Sequence, residues 1–320
     1  MTSSSVLNTQ SPAIESRGLG KSFGSRAALE GVDLVVSRGV AFGFLGANGA
    51  GKTTLIRLLL GLAQPTAGSL RVLGRDVPKD RASALARVNA IIEEPRFHQH
   101  LTGRENLRVH AAACGPDAHG RIDASLARVG LAARAEEKVK AYSLGMRQRL
   151  GLARCLLSDP ELLILDEPLN GLDPAGILEI RRLIREFVDE GRTVLLSSHL
   201  LDEVEKTCDL AAIVDHGRIV AQGTIGELVS GGARAIDIGC DSPAAAVRLL
   251  AAVPGVLRAA EHEGAIRVSL SPEAPVDREI VTVLLRRLLD HGVDVERVAA
   301  ASTSLEDRFL TMTTRLEDRS

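Results

Sequence analysis

At 320 residues the chain is long enough for one large domain and a smaller one, each able to bury a core. Hydrophobic residues make up 45%, charged residues 25%, and the formal net charge is −2, so no general basic surface invites nucleic acid; aromatics at 2% leave little to stack on bases. No stretch approaches about 20 continuous apolar residues, which excludes a helical bilayer span. Residues 1–12, rich in Ser and Thr, read as a disordered tail and not as a signal peptide. Cys114, Cys155, Cys208 and Cys240 lie far apart, without C-x-x-C or zinc spacing.

In chain order, a short strand pair is expected around Ile14–Phe23, then strands at Val32–Val36 and Val40–Leu45. The last is a continuous apolar run that stops at Gly46, and a helix follows from Lys52 to about Leu62. From Pro78 to Val139 the pattern is mostly helical, interrupted at Gly115-Pro116. Gln148–Leu157 is an amphipathic helix, Leu162–Leu165 a buried strand, and Ile177–Val188 a helix with Ile177, Ile180, Leu183, Ile184 and Phe187 on one face. Short apolar strands follow at Val194–Leu196 and Ala211–Val214. Strands alternating with helices predict an α/β domain built on a largely parallel sheet, over 13–229 with a helical subdomain at about 80–160.

Ser230-Gly231-Gly232 marks a linker. Beyond it, residues 235–320 read as strand, helix, two strands, helix, strand, with a terminal helix at Leu305–Met312. That order predicts a small α+β domain of ferredoxin-like type.

Gly46-Ala47-Asn48-Gly49-Ala50-Gly51-Lys52-Thr53 fits G-x-x-x-x-G-K-[ST] and sits between a buried strand and a helix. The glycines let backbone N–H groups turn inward around phosphate oxygens, and the helix N-terminus adds a positive dipole. Lys52 can reach the β and γ phosphates of ATP, Thr53 can offer its hydroxyl to Mg²⁺, and Thr54 continues the loop. Leu162-Leu163-Ile164-Leu165-Asp166-Glu167-Pro168 is a buried strand ending in two carboxylates. Asp166 suits a metal position, direct or through water, and Glu167 suits activation of the attacking water.

In order and content these segments resemble the ABC ATPase family. Tyr142-Ser143-Leu144-Gly145-Met146 resembles its L-S-G-G-Q signature, with Leu144 for Gly and Met146 for Gln; Ser143 and the Gly145 amide keep the phosphate-binding positions. Asn170-Gly171-Leu172-Asp173 resembles the D-loop of the family, placing Asp173 by the dimer seam, and Ser197-Ser198-His199 resembles the switch histidine that touches the γ-phosphate. Phe23 is either the family's adenine-stacking aromatic or plain core. Glu93, in Ile91-Ile92-Glu93-Glu94-Pro95, aligns with the Q-loop glutamine, as a nucleotide-side and metal-side carboxylate, or is a solvated loop charge. This I-E-E-P form, with Leu101-Thr102-Gly103-Arg104-Glu105-Asn106-Leu107, is similar to bacitracin-resistance and lantibiotic-immunity ATPases. Ser304-Leu305-Glu306-Asp307-Arg308-Phe309-Leu310 resembles a stretch that ends many drug-export ATPases, and reads equally as an amphipathic closing helix.

The resemblance implies a P-loop cassette with a RecA-like core, an antiparallel β subdomain and a helical subdomain. It implies ATP and Mg²⁺ as cofactors, an ATP-sandwich homodimer or a pair with a related cassette, a membrane permease on a separate chain that exports drugs or antibiotic peptides, and a peripheral place on the cytoplasmic face of the membrane. An importer ATPase and a soluble, non-transport ABC ATPase are the alternatives.

Overall fold

The computed structural model describes residues 11–230, 235–262, 264–271, 278–300, 305, 306 and 309. All but the last two positions of the expected tail lie outside them, as does the terminal helix apart from Leu305, Glu306 and Phe309, which are helical. The chain divides into two compact units, Met1–Thr224 and Ile225–Ser320.

In the first unit, β1 (Ile14–Phe23) and β2 (Arg26–Val36) run antiparallel, Ile14 opposite Val36 and Phe23 opposite Arg26. β3 (Ala41–Leu45) is buried at all five positions, as expected for a strand covered on both faces, and leads into α1 (Lys52–Leu59). β4 (Ala67–Val72) and β5 (Arg75–Asp76) extend the first pair into an antiparallel sheet of order β2-β1-β4-β5. After α2 (Arg81–Leu85) comes β6 (Val88–Ile91), then α3 (Gly103–Ala111), α4 (Ile122–Arg128) and α5 (Leu144–Leu156). α3 opens with a capping box in which Thr102 and Glu105 satisfy each other's backbone N–H groups.

β7 (Leu162–Asp166), α6 (Pro174–Asp189), β8 (Thr193–Ser198), α7 (Leu201–Thr207), β9 (Leu210–Asp215) and β10 (Arg218–Thr224) complete the unit. The larger sheet has the order β10-β9-β3-β8-β7-β6. Its strands are parallel except β10, which pairs antiparallel to β9 at one edge. One hydrophobic core, with Ile14, Leu34 and Leu70 from the smaller sheet, Leu55 and Leu59 from α1, and Phe44, Ile164 and Leu195 from the larger, welds the two sheets together.

Two expectations are corrected. The stretch read as mostly helical from Pro78 contains the strand β6, pairing Val88 with Leu162 and Ile91 with Leu165. Its four residues are too few for periodicity to separate strand from helix, and the free edge of β7 decides. The strand pair expected within Ile14–Phe23 is one strand whose partner begins at Arg26.

In the second unit, α8 (Ile225–Ser230) precedes β11 (Ala235–Cys240), α9 (Pro243–Ala251), β12 (Val256–His262), β13 (Ala265–Leu270), α10 (Arg278–Leu289) and β14 (Val295–Ala300). The antiparallel sheet has the order β12-β13-β11-β14, the ferredoxin-like arrangement. Alternation puts Ile236, Ile238, Ile266, Val268 and Leu270 into a core with Ala246, Leu250, Leu284 and Leu288 of the helices. Asp237 and Arg267, the intervening residues, form a two-pronged ion pair at 2.9 and 3.0 Å.

Candidate functional site

The order of the large sheet sets the C-terminal ends of β3, β8 and β7 side by side, Leu45 opposite Ser198 and Ser197 opposite Asp166. Ligands of parallel α/β sheets bind at such strand ends. The loop leaving β3 carries Gly46 to Thr53, with Ala47, Asn48 and Gly49 exposed at its tip and Ala50, Gly51 and Lys52 buried.

Local geometry requires its glycines. Gly49 and Gly51 have φ of 85° and 109°, which L side chains rarely adopt. A Cβ on Gly46 would lie 2.4 Å from the Val214 carbonyl oxygen, and one on Gly51 would lie 2.7 Å from the Ala28 carbonyl oxygen. The loop is therefore seated directly on the backbones of β9 and β2.

Lys52, 6% exposed, folds back into this loop. Its Nζ donates to the carbonyls of Gly46 at 2.7 Å and Ala47 at 3.2 Å, and stands 3.2 Å from Glu167 Oε1. A buried ammonium is tolerable because three oxygens surround it. Glu167 Oε2 is 2.9 Å from His199 Nδ1, so one carboxylate links lysine and histidine. Beside this chain of contacts, Thr53 Oγ1 donates to Asp166 Oδ2 at 3.0 Å. Ser197 Oγ donates to Asp166 Oδ1 at 2.5 Å and accepts the Glu167 N–H at 3.0 Å. Thr54, next on α1, is half-buried.

The cluster fits the groups it resembles a site for. A loop with its lysine turned inward, and glycines where a Cβ would collide, is suited to cradle phosphate oxygens with backbone N–H groups. The Thr53 hydroxyl and Asp166 carboxylate are hard oxygen donors, and Mg²⁺ needs few protein ligands because it keeps waters and leans on phosphates.

The remaining candidates stand elsewhere. Phe23 is 55% exposed, with Lys21 Nζ 4.8 Å above its ring, so one aromatic face is already covered. Glu93 has φ 59°, is exposed, and turns to Arg57 at 3.8 Å. Its neighbour Glu94 instead reaches Arg147 Nε, just past the signature-like segment, at 2.8 Å. Ser143 caps α5 by accepting the Met146 N–H at 3.2 Å, and Asp173 caps α6 by accepting the Gly176 N–H at 2.9 Å. These two segments adjoin: a Cβ on Gly171 would lie 3.1 Å from Leu144 Cδ2, and one on Gly145 would lie 3.8 Å from Leu172 Cδ2.

Sequence reasoning passed over Ser197, visible only as the first residue of the Ser-Ser-His motif, and the Glu94–Arg147 contact. The four thiols offer no reactive alternative. Burial pushes Cys155 up to about 12 and Cys208 higher still, and desolvation raises Cys114 and Cys240.

Residues 29–170 match the ABC transporter family model. Over 304 residues the chain is 38% identical to the bacitracin transport ATP-binding protein BcrA of Bacillus licheniformis, covering 94% of this chain and 97% of that one. The chain belongs to the ABC transporter ATP-binding family. It is also 36% identical to the daunorubicin/doxorubicin resistance ATP-binding protein DrrA of Streptomyces peucetius, over 96% of this chain and 94% of that one. A solved ATP-binding subunit of an ABC transporter superposes with a TM-score of 0.62 at 31% identity, covering 68% of this chain and 92% of its own. Membership in the ABC family implies binding of ATP with Mg²⁺, ATP hydrolysis, and pairing with a membrane permease and a second ATPase subunit. No helix among the described residues is long and apolar enough to cross a membrane.

Proposed function

We propose that the chain is the ATP-hydrolysing motor of an exporter for drugs or antibiotic peptides, of the bacitracin-resistance and lantibiotic-immunity type. It drives a separate permease from the cytoplasmic face of the membrane, as an ATP-sandwich homodimer. The observation that carries the chemistry is the Lys52–Glu167–His199 chain of contacts, at 3.2 and 2.9 Å, beside the Thr53–Asp166 pair. Full-length similarity to a bacitracin transport protein and to a drug-resistance protein supports the exporter assignment.

In this reading the amides of Gly49 and of Gly51 to Thr53, with the Lys52 ammonium, bind phosphate oxygens, while Thr53 and Asp166 would hold Mg²⁺. The metal supplies charge neutralisation on the phosphates. Glu167 accepts the proton of the attacking water, and His199, bonded to it through Nδ1, fixes its orientation and keeps its other ring nitrogen for the γ-phosphate. The open face of Phe23 stacks on adenine. Ser143, the Gly145 amide and Asp173 act across the dimer seam on the partner's nucleotide. Glu93 takes the Q-loop position by leaving Arg57.

Glu167→Gln keeps the side chain's size and removes its charge, so binding contacts survive while water activation is lost. The variant accumulates a stable ATP-bound dimer in light scattering, whereas wild type with ATP and Mg²⁺ dimerises only transiently. Ser143→Arg abolishes the dimer in the same background. A Glu167→Gln chain that binds ATP and stays monomeric even with its permease refutes the sandwich.

A further inference from the structure

One hydroxyl serves two adjacent acidic residues. Ser197 lies one residue from the C-terminal end of β8 and is fully buried. Parallel pairing of β7 with β8 sets it opposite Asp166, so the two side chains project from the same face of the sheet. Its Oγ donates to Asp166 Oδ1 at 2.5 Å, and Thr53 occupies the other carboxylate oxygen at 3.0 Å. The same Oγ accepts the N–H of Glu167 at 3.0 Å. Glu167 has φ 48°, a left-handed conformation that side chains other than glycine avoid. That backbone turn aims the Glu167 carboxylate at Lys52 and His199, at 3.2 and 2.9 Å, and not along β7.

A methyl group at 197 would leave Asp166, itself 2% exposed, with one donor fewer, and the Glu167 amide with no partner from β8. Both losses fall on the two residues assigned to metal and water, one at the Asp166 carboxylate and one at the Glu167 backbone. We propose that Ser197 is a positioning residue that orients Asp166 toward Mg²⁺ and locks the strained turn presenting Glu167. This rests on the nucleotide-site reading above. ATP contacts made through the phosphate loop do not depend on Ser197; those made through the metal do.

The test uses the full chain and separates these two parts. ATP binding is titrated with and without Mg²⁺, steady-state hydrolysis is followed against free Mg²⁺, and thermal unfolding is recorded in parallel. For Ser197→Ala, affinity for ATP without Mg²⁺ stays at the wild-type value. The free Mg²⁺ giving half-maximal effect rises, and kcat falls, each by about tenfold or more, the size of one lost hydrogen bond to a charged group. KM at saturating Mg²⁺ changes little. Ser197→Thr, which keeps a hydroxyl, restores the Mg²⁺ response.

Thr193→Ala is the matched control. It removes another buried hydroxyl, which accepts from the Gly39 N–H at 3.0 Å, at the opposite end of the same strand. It lowers thermal stability and leaves the Mg²⁺ response unchanged. If Ser197→Ala does not fold, Ser197→Cys, of similar shape and a far weaker donor, carries the same expectation. A folded variant lacking the hydroxyl but with wild-type Mg²⁺ dependence and kcat overturns the proposal. So does a Thr193→Ala chain with an equal shift in Mg²⁺ dependence. A wild-type chain that binds no ATP overturns the proposed function itself, and is told apart because the failure precedes any substitution.

Discussion

Gly46→Ala probes the phosphate loop by steric means alone, because Gly46 is not among the glycines with positive φ. The new Cβ would stand 2.4 Å from the Val214 carbonyl oxygen, 2.8 Å from Val214 Cγ1 and 3.1 Å from Ala50 Cβ. Val214 is held in β9, which pairs on both sides, with β3 and β10, so the loop yields and the strand does not. Opening the gap from 2.4 Å to the 3.0 Å that real Cβ contacts respect moves the start of the loop by about 0.6 Å. Overpacking of this kind destabilises by about 1–3 kcal/mol. The shift also strains the 3.3 Å bond from Gly46 N–H to the Ser198 carbonyl, and displaces the Gly46 carbonyl that accepts from Lys52 at 2.7 Å. Losing one charge-assisted hydrogen bond to phosphate costs about 1.5–3 kcal/mol, so ATP affinity falls about 10- to 150-fold. Equilibrium titration with a fluorescent ATP analogue measures the loss, and thermal unfolding confirms that the chain is folded. Gly49→Ala is the contrast: its Cβ meets nothing within 4 Å, but φ is 85°, so it pays only backbone strain of about 1–2 kcal/mol and loses less affinity. A folded Gly46→Ala chain with wild-type ATP affinity refutes the assignment of this loop to phosphate.

Glu93→Ala lowers ATPase activity, or its coupling to transport, more than Glu94→Ala does. Removing Glu94 breaks a partly exposed pair with Arg147 worth about 0–1 kcal/mol; a larger effect there would shift the Q-loop role to Glu94. Because burial raises the Cys155 thiol from 9.0 to about 12, its protonated form is favoured in the folded state. The resulting stability is complete below pH 9 and is lost as pH rises toward 12; thermal melts of wild type and Cys155→Ala, which lacks this pH-dependent part, check the sign. A chain ending at Thr224 retains ATP binding, since the first unit has its own core and every residue placed at the nucleotide lies within it. Titration of that shortened, folded chain against wild type decides this.

Contiguity explains what was legible without coordinates. Gly46 to Thr53 and Leu162 to Glu167 are short runs in which covalent spacing already dictates a loop at a helix start and a strand ending in carboxylates. The βαββαβ order of the second unit followed from alternating periodicities. Strand β6 was not legible, because Val88-Asn89-Ala90-Ile91 becomes a strand only against the free edge of β7. Separate roles for Asp166 and Glu167 were legible from the strand-end pair of carboxylates, but the geometry that parts their side chains was not. Neighbours in a regular strand face opposite ways, and here the turn at φ 48° directs Glu167 to Lys52 and His199 while Asp166 faces Thr53 and Ser197. In Ser197-Ser198-His199 the chain offers two equivalent hydroxyls. Register alone separates them: Ser197 lies opposite Asp166, whereas Ser198 lies opposite Leu45 and its hydroxyl accepts the Leu200 N–H. Residue types and local spacing are written along the chain, but which hydroxyl meets which carboxylate, 31 residues away, is set by how two strands align in a sheet.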